Sequence, residues 1–489
     1  MQNGPNRIEL GDTLNISRLI CGLWQVADLE RHETPLDPER AADALDAYAK
    51  SGFDTFDMAD HYGSAELIAG RLLARYPESG RRPVAFTKWC PELGPMTADV
   101  VRRGVRERLD RLGVRKIDLL QFHWWTFEHP AWLDAMHEMK RLAELGLIGA
   151  IGVTNFDAAH LALALADGIP VISNQVSFSL IDRRASGPLS DLCRRSGVKL
   201  LAYGTLCGGF LSDRWLAKPE PASLPDWSRS KYKRFIDAVG GWEPFQTVLS
   251  AASGIAKKHG VSISNVATRW VLDHEAVGAA IIGARITESE HRADNLKVFG
   301  FTLDAEDRSR LDAAFRSAKP IPGDCGDEYR RPPYLTASGD LSHHLDAIPS
   351  VYKVEPMPNR PDRLRASSGS IWEPIAGYSR AVRVKDRICV SGTTATHGPD
   401  RCVAPGDAGA QATYILDKIS ASISALGGRI EDVVRTRIYL RDAAHWEPVS
   451  RAHGRVFGDT LPANTLVEVG NLIGDYEVEI EADAIVPDE

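Results

Sequence analysis

No apolar run in this chain reaches the roughly 18 residues that a bilayer-spanning helix needs. The opening stretch, MQNGPNRIELGD, holds no apolar core of the kind that directs secretion. Seven cysteines are scattered singly, with no CxxC pair, and an odd number cannot all pair within one chain. Reduced thiols and no metal site are the expectation. There is no basic excess. The 58 Lys and Arg stand against 66 Asp and Glu, a net charge of −8 that speaks against a general nucleic-acid or membrane-surface role. No GxGxxG follows the first strand candidate, so the usual signature of a Rossmann fold is missing. These absences predict a soluble, cytoplasmic protein with no nucleic-acid or membrane partner.

What is there is length and rhythm. The 489 residues suit two or three domains, and 44% hydrophobic with 25% charged residues is ordinary for globular protein. Eight short apolar runs read as strands, at 19–22, 53–57, 84–87, 118–122, 150–153, 171–174, 199–203 and 279–282. Between most neighbours lies a helix-like stretch with apolar residues three or four apart, such as ADVVRRGVRERLDRLG, closed by a glycine. Eight strand–helix repeats predict an α/β fold, a (β/α)8 barrel over residues 1–318. Residues 207–243 break the rhythm and are long enough to be a lid over the barrel mouth. Residues 319–365 are Pro-rich and polar and read as a linker with some ordered pieces. Residues 366–489 predict a smaller α+β domain, with a long helix around AGAQATYILDKISASISALGG and alternating strands such as YEVEIEADAIV.

The strands of a barrel all point their carboxyl ends at one mouth. Asp57 ends the second strand, Tyr62 follows on its loop, Lys88 ends the third and His123 the fourth. Their types suit one task. A phenol is a weak acid, with an ordinary pKa of about 10. A nearby ammonium favours the phenolate and lowers that value. Lys88 supplies the charge and Asp57 holds Lys88. Tyr62 can then protonate a carbonyl oxygen while hydride reaches the carbon, with His123 hydrogen-bonding the same oxygen. Each residue alone has a plainer reading: a turn aspartate, a solvated lysine, a core histidine. Together, at successive strand ends, they point to carbonyl chemistry.

The string Asp57-Met58-Ala59-Asp60-His61-Tyr62 resembles the D-x-A-x-x-Y motif of the aldo-keto reductases, and Lys88 and His123 fall where that family has its lysine and histidine. The resemblance covers about residues 7–318. It implies a catalytic tetrad of Asp57, Tyr62, Lys88 and His123, and a nicotinamide cofactor, NADP(H) favoured and NAD(H) possible, extended across the barrel mouth. By the same resemblance Thr154, Asn155 and Gln175 contact the nicotinamide carboxamide and Tyr203 stacks on the ring. Gly204, Thr205 and Leu206 lie along the pyrophosphate, and Gly283, Ala284, Arg285, Asp294 and Asn295 hold the adenosine end. Arg285 suits a 2′-phosphate, since a guanidinium pairs well with phosphate. A helix start near Thr287 adds backbone donors. Trp24, Trp89, Trp124 and Trp125 follow barrel strands and either line the substrate pocket or pack under loops.

GYSRAVRV, VSGTTA, LPANTLVEV and EVEIEADAIV resemble the Rid family, the reactive-intermediate deaminases or YjgF-like proteins, over about residues 370–487. The resemblance implies a chorismate-mutase-like fold, a homotrimer and ligand clefts between subunits. Tyr378 and Glu481 match cleft residues. The family's substrate-holding arginine is Asn464 here, and an amide cannot form the two-pronged pair with a carboxylate. The reading is therefore an NAD(P)H-dependent oxidoreductase of a small carbonyl compound or its alcohol, fused to a Rid-like domain. The alternatives are a bifunctional protein whose second domain handles a reactive product, and a non-catalytic cofactor-sensing subunit.

Overall fold

The structure, a computed structural model, describes residues 6–26, 36–77, 81–224, 226–286, 291–330 and 348–487. A hairpin, β1 (Arg7–Leu10) and β2 (Leu14–Ser17), precedes eight parallel strands: β3 (Leu19–Gly22), β4 (Thr55–Asp57), β5 (Val84–Trp89), β6 (Leu119–His123), β7 (Ile151–Thr154), β8 (Val171–Ser177), β9 (Lys199–Tyr203) and β10 (Val277–Gly283). They close into a barrel, β10 pairing with β3, as the eight-fold repeat predicts. Outside run α1 (Pro38–Lys50), α2 (Ala65–Leu73), α3 (Ala98–Leu112), α4 (Ala131–Glu144), α5 (Ala158–Ala166), α6 (Pro188–Ser196), α7 (Trp227–Ala238), α8 (Trp242–His259), α9 (Ile263–Leu272), α10 (Arg292–Leu296) and α11 (Ala305–Phe315). Local chemistry sets their ends. Thr97 caps the start of α3 by accepting from Val100 N, and Gly113, at φ 63°, ends it in the left-handed conformation that glycine adopts without strain. No helix among the described residues is long and apolar enough to cross a membrane.

The period-two alternation of strands decides what fills the barrel. Ile20, Phe86, Leu119, Ala150, Leu201 and Ala279 form its apolar floor, closed from below by Leu10 and Ile16 of the hairpin. Two residues further along, the same inward face carries Lys88 after Phe86 and Gln121 after Leu119. Polar side chains thus enter the interior at the mouth. Gly152 belongs to this layer for lack of room: a Cβ there would lie 2.6 Å from Ser173 Oγ and 3.1 Å from Gln121 Cγ.

The excursion after β9 is not a bare loop. It holds α7, whose Tyr232 ring packs on the loop that follows β9. The linker over 319–365 holds ordered pieces, as expected. Its start forms α12 (Asp327–Arg330), which roofs the barrel mouth, and its end forms a hairpin, β11 (Lys353–Met357) and β12 (Arg360–Ser367). Pro356 and Pro361 disguised these strands in the sequence: Pro356 is on the edge strand β11, and Pro361 lies at a register shift before the residues of β12 that pair with β13. The hairpin continues the sheet of the second domain, which runs β11–β12–β13 (Ala381–Val384)–β14 (Arg387–Thr393)–β19 (Val478–Ile485)–β17 (Val433–Leu440)–β18 (Ala463–Glu468). A short ribbon, β15 (Thr396–His397) with β16 (Arg401–Cys402), and the helices α13 (Trp372–Ala376), α14 (Ala408–Ala425) and α15 (Trp446–Phe457) complete the domain. Along β19, Val478, Ile480, Ala482 and Ala484 are buried while Glu479, Glu481 and Asp483 face the other way.

The long helix α14 is buried nearly all round because it lies between this sheet and the barrel's α5. The contact is charged. His160 of α5 is buried with Nδ1 2.6 Å from Asp157 Oδ2 and Nε2 3.0 Å from Asp417 Oδ2 of α14, while Phe127 stacks on its face at 3.5 Å. Nearby, His397 Nε2 lies 2.8 Å from Asp134 Oδ1 and Arg401 Nη1 donates to Asp167 at 2.9 Å. Burial alone would lower the His160 imidazole, but Asp157 and Asp417 outweigh it and raise it above its ordinary 6.5. Asp157 moves the opposite way: the His160 charge overcomes burial and holds it below its ordinary 3.8. Arg455 of α15 faces the same two carboxylates.

The sign of the linkage follows. The raised His160 contributes stability that is fully present below about pH 6.5 and is lost as pH rises through its folded value. The depressed Asp157 contributes stability that is present above about pH 3.8 and is lost as pH falls through its own folded value. The docking is therefore firmest between those two folded values. Calorimetry across pH should show the melting midpoint falling on the alkaline side, and His160→Gln should remove that slope. An unchanged slope in the variant would contradict the clamp.

Candidate active site

The tetrad residues come together at the barrel mouth. Asp57, Lys88 and His123 are buried and Tyr62 is half-buried. Lys88 Nζ donates to Asp57 Oδ2 at 2.7 Å and to Met58 O at 2.9 Å, and stands 5.2 Å from the centre of the Tyr62 ring. The other Asp57 oxygen accepts from Gln121 Nε2 (2.9 Å) and Gln175 Nε2 (2.8 Å). One carboxylate thus ties β4 to β5, β6 and β8. Tyr62 is wedged edge-on against Trp24, with ring centres 4.9 Å apart. His123 lies two residues beyond Gln121 on the same inward face, edge-on to Trp125 (4.4 Å) and to Tyr329 of α12 (5.2 Å).

Around this core stand the residues expected to hold a nicotinamide cofactor. The Thr154 hydroxyl is buried without a hydrogen-bond partner among the described residues, which suits a polar ligand. Asn155 sits at φ 59°, its N–H donating to Gln175 O at 2.8 Å. The Tyr203 hydroxyl donates to Asn155 Oδ1 at 2.9 Å and lies 3.3 Å from Glu328 Oε1. Burial, with Tyr329 and Glu328 adding to it, pushes the Tyr203 phenol well above its ordinary 10. Lys231 of α7 lies 5.1 Å from the centre of the Tyr203 ring and donates to Tyr329 OH at 2.7 Å. Of these three, only the Thr154 hydroxyl is left for a ligand such as a nicotinamide, since Tyr203 bonds Asn155 and has Lys231 at its ring.

The outer positions are engaged by protein. At Gly204, φ 67°, a Cβ would lie 2.8 Å from the Tyr232 ring, so α7 covers this strip. Thr205 is buried, its hydroxyl donating to Ala202 O at 3.3 Å, and Leu206 packs on the core. Gly283 borders Gln25, and Ala284 N donates to Gly22 O. Arg285 Nε donates to Gln25 Oε1 at 2.9 Å, and its Nη2 is 3.9 Å from Asp226, the cap of α7. Asp294 accepts from Ser262 Oγ (2.8 Å) and Asn265 Nδ2 (3.1 Å), while the Asn295 N–H donates to His291 O within α10. The helix start expected at Thr287 lies outside the described residues.

Two tryptophans expected at the substrate pocket are elsewhere. Trp89 follows Lys88 and so points outward, where it fills the notch left by Gly104 of α3. Trp124 is buried beneath its loop, stacked on Phe122 and donating to His129 O at 2.9 Å. Trp24 and Trp125 do border the site. The cleft expected in the second domain is not assembled within one chain. Glu481 accepts from Arg437 Nη1 (3.0 Å) and Tyr439 OH (2.9 Å) on the open face of the sheet. Asn464 accepts from Thr436 on the face covered by helices. Their register partners on β17, Thr436 and Arg437, are adjacent and point to opposite faces, which separates them. Tyr378 is half-buried beyond α13.

The sequence reading missed Gln121, Glu328, Tyr329 and Lys231. Gln121 had a signal, since it shares an inward face with His123. The others lie on α7 and α12, outside the eight-fold repeat, and only tertiary packing brings them to the mouth.

Comparison with known proteins agrees with this architecture. Residues 18–316 match the family model described as Aldo/keto reductase family, and residues 369–486 match the model described as Endoribonuclease L-PSP, the Rid-type domain. Flagellar radial spoke protein 5 of Chlamydomonas reinhardtii is 34% identical over 177 residues, covering 32% of this chain and 33% of that protein, so the match spans a third of its length. Pyridoxal reductase, chloroplastic, of Arabidopsis thaliana is 27% identical, covering 64% of this chain and 86% of that one. The crystal structure of a thermostable aldo-keto reductase, Tm1743, superposes with a TM-score of 0.50 at 26% identity, covering 63% of this chain and 99% of that one.

Proposed function

The chain belongs to the aldo/keto reductase family of oxidoreductases and carries a Rid-type domain behind its barrel, and from that premise we propose that it interconverts a small aldehyde or ketone and its alcohol using NADP(H). The observation that carries the reading is the Lys88 ammonium, paired with Asp57 at 2.7 Å and 5.2 Å from the Tyr62 ring. A bound reduced nicotinamide would supply hydride to the carbonyl carbon. Tyr62 gives its hydroxyl proton to the carbonyl oxygen, Lys88 stabilises the phenolate left behind, and His123 orients the same oxygen. Asp57 holds Lys88 in place. Thr154 and Asn155 receive the carboxamide and Tyr203 the ring face. Arg285 favours NADP(H), with NAD(H) the weaker partner. In the reverse direction the phenolate takes the alcohol proton. The test is loss of reduced-cofactor absorbance across a panel of aldehydes and ketones. No consumption of NADPH or NADH with any of them would sink the proposal.

For the second domain we propose a homotrimer formed through the open sheet face, where Tyr439, Val467 and Ile485 stand beside Glu481. Its cleft, lacking the family arginine at Asn464, binds a small molecule rather than hydrolysing amino-acid-derived imines. With the full chain, imine hydrolysis should stay at the background rate by ammonia release. Clear hydrolysis would show that the guanidinium is dispensable. The proposed setting is the cytoplasm, where the seven free thiols stay reduced.

A further inference from the structure

Three side chains next to the tetrad take no part in it. Asp60 and His61 lie on the loop between β4 and Tyr62, and Cys90 directly follows β5. Hydrogen bonds lace the loop to the strand end: Asp60 N donates to Lys88 O at 3.1 Å and Cys90 N to Asp60 Oδ2 at 2.8 Å. His61 Nδ1 lies 2.9 Å from Asp60 Oδ1. A carboxylate oxygen, an imidazole nitrogen and a thiol sulfur here all lie within 4.8 Å of one another, the one such trio of His, Cys, Asp or Glu among the described residues.

We propose that Asp60, His61 and Cys90 bind one zinc-class divalent ion at the rim of the active site, with a fourth position open to solvent or substrate. The mixed oxygen, nitrogen and sulfur set is the donor type that zinc takes. Zinc bonds of about 2.0–2.3 Å in a tetrahedron place ligand atoms about 3.3–3.6 Å apart. That lies between the 2.9 Å found for one pair and the 4.8 Å bound on all three, so small side-chain rotations suffice. The Cys90 thiol proton passes to solvent as the sulfur–metal bond forms. Thiolate and carboxylate then balance the ion's two charges, and the buried end of the site closes neutral. A supporting shell is already built: the backbone N–H groups of His61 and Cys90 orient the Asp60 carboxylate, and Arg108 Nη1 stands 4.0 Å from it. Asp60 and His61 are half-buried, which leaves an approach for the fourth ligand. An ion bound there would fasten the loop carrying Tyr62 to the strand carrying Lys88.

The test is cobalt(II) chloride titrated into full-length protein first stripped with a chelator. One equivalent per chain should bind, with a sulfur-to-cobalt charge-transfer band and the intense visible bands of four-coordinate cobalt, and zinc should displace it. Cys90→Ser should abolish the charge-transfer band. Cys389→Ser, at an exposed thiol, should keep it. His61→Gln should weaken binding at least about tenfold. Absence of the band, or its survival in Cys90→Ser, would overturn the proposal. Should Cys90→Ser misfold by circular dichroism, His61→Gln decides, because unchanged cobalt affinity there would also overturn it. None of these readouts depends on carbonyl turnover.

Discussion

Tyr62→Phe is expected to lower kcat by about 10²–10⁴-fold, the usual contribution of a positioned general acid. The change removes one oxygen and keeps the ring, so the edge contact with Trp24 persists and the Lys88–Asp57 pair is untouched. Cofactor affinity, followed by quenching of tryptophan fluorescence, should stay nearly unchanged. That split is the informative part. A loss in kcat with constant cofactor binding marks an interaction made chiefly in the transition state. A variant that kept most of its turnover would remove Tyr62 from the chemistry. One that lost cofactor binding instead would assign the tyrosine a structural task in the mouth.

Asp57→Ala is expected to be the most damaging single change to barrel stability, at about 3–5 kcal/mol. It strands a buried ammonium, the situation in which breaking an ion pair costs most. It also leaves the Gln121 and Gln175 amides without their shared acceptor. Asp57→Asn keeps an oxygen for those amides while losing the charge, so its loss should be intermediate. Urea unfolding of both variants, followed by barrel tryptophan fluorescence, measures the difference. A loss under about 1 kcal/mol for Asp57→Ala would mean that Lys88 finds another partner or water. Turnover should fall in both variants, because Lys88 would no longer be held beside Tyr62.

The barrel was legible because two periodicities agree along it. Short apolar runs alternate with stretches of helical spacing, and strands such as β9 appear at the expected residues. The tetrad was legible for the same reason: once Asp57, Lys88 and His123 are strand ends, a barrel has one place to put them. The pocket walls were not. Whether Trp89 faces the mouth or the helices depends on a one-residue phase, and the phase that points Lys88 inward must point Trp89 outward. Nothing in GDCGDEYRR marks a roof, since α12 is held there by Arg330 donating to Asn155 O at 2.6 Å and Arg184 to Glu328 at 2.7 Å, contacts between residues far apart in the chain. The β11–β12 hairpin was hidden by its prolines, one on the edge strand and one at a register shift. In the second domain the motif strings were readable, but which face of the sheet each side chain takes depends on register, and there Asn464 and Glu481 part company.

The seam between the two domains bears on how far each depends on the other. The helix α14 rests on the chain segments that leave β6 and β7: Ser420 donates to Glu128, and Asp417 reaches His160. Those segments begin at His123 and Thr154. Severing the chain would expose Asp157, His160 and Asp167 on one piece and Asp417, with the apolar residues of α14, on the other. What parting them would cost is the apolar surface of α14 opened to water, because the freed carboxylates and imidazole are well solvated.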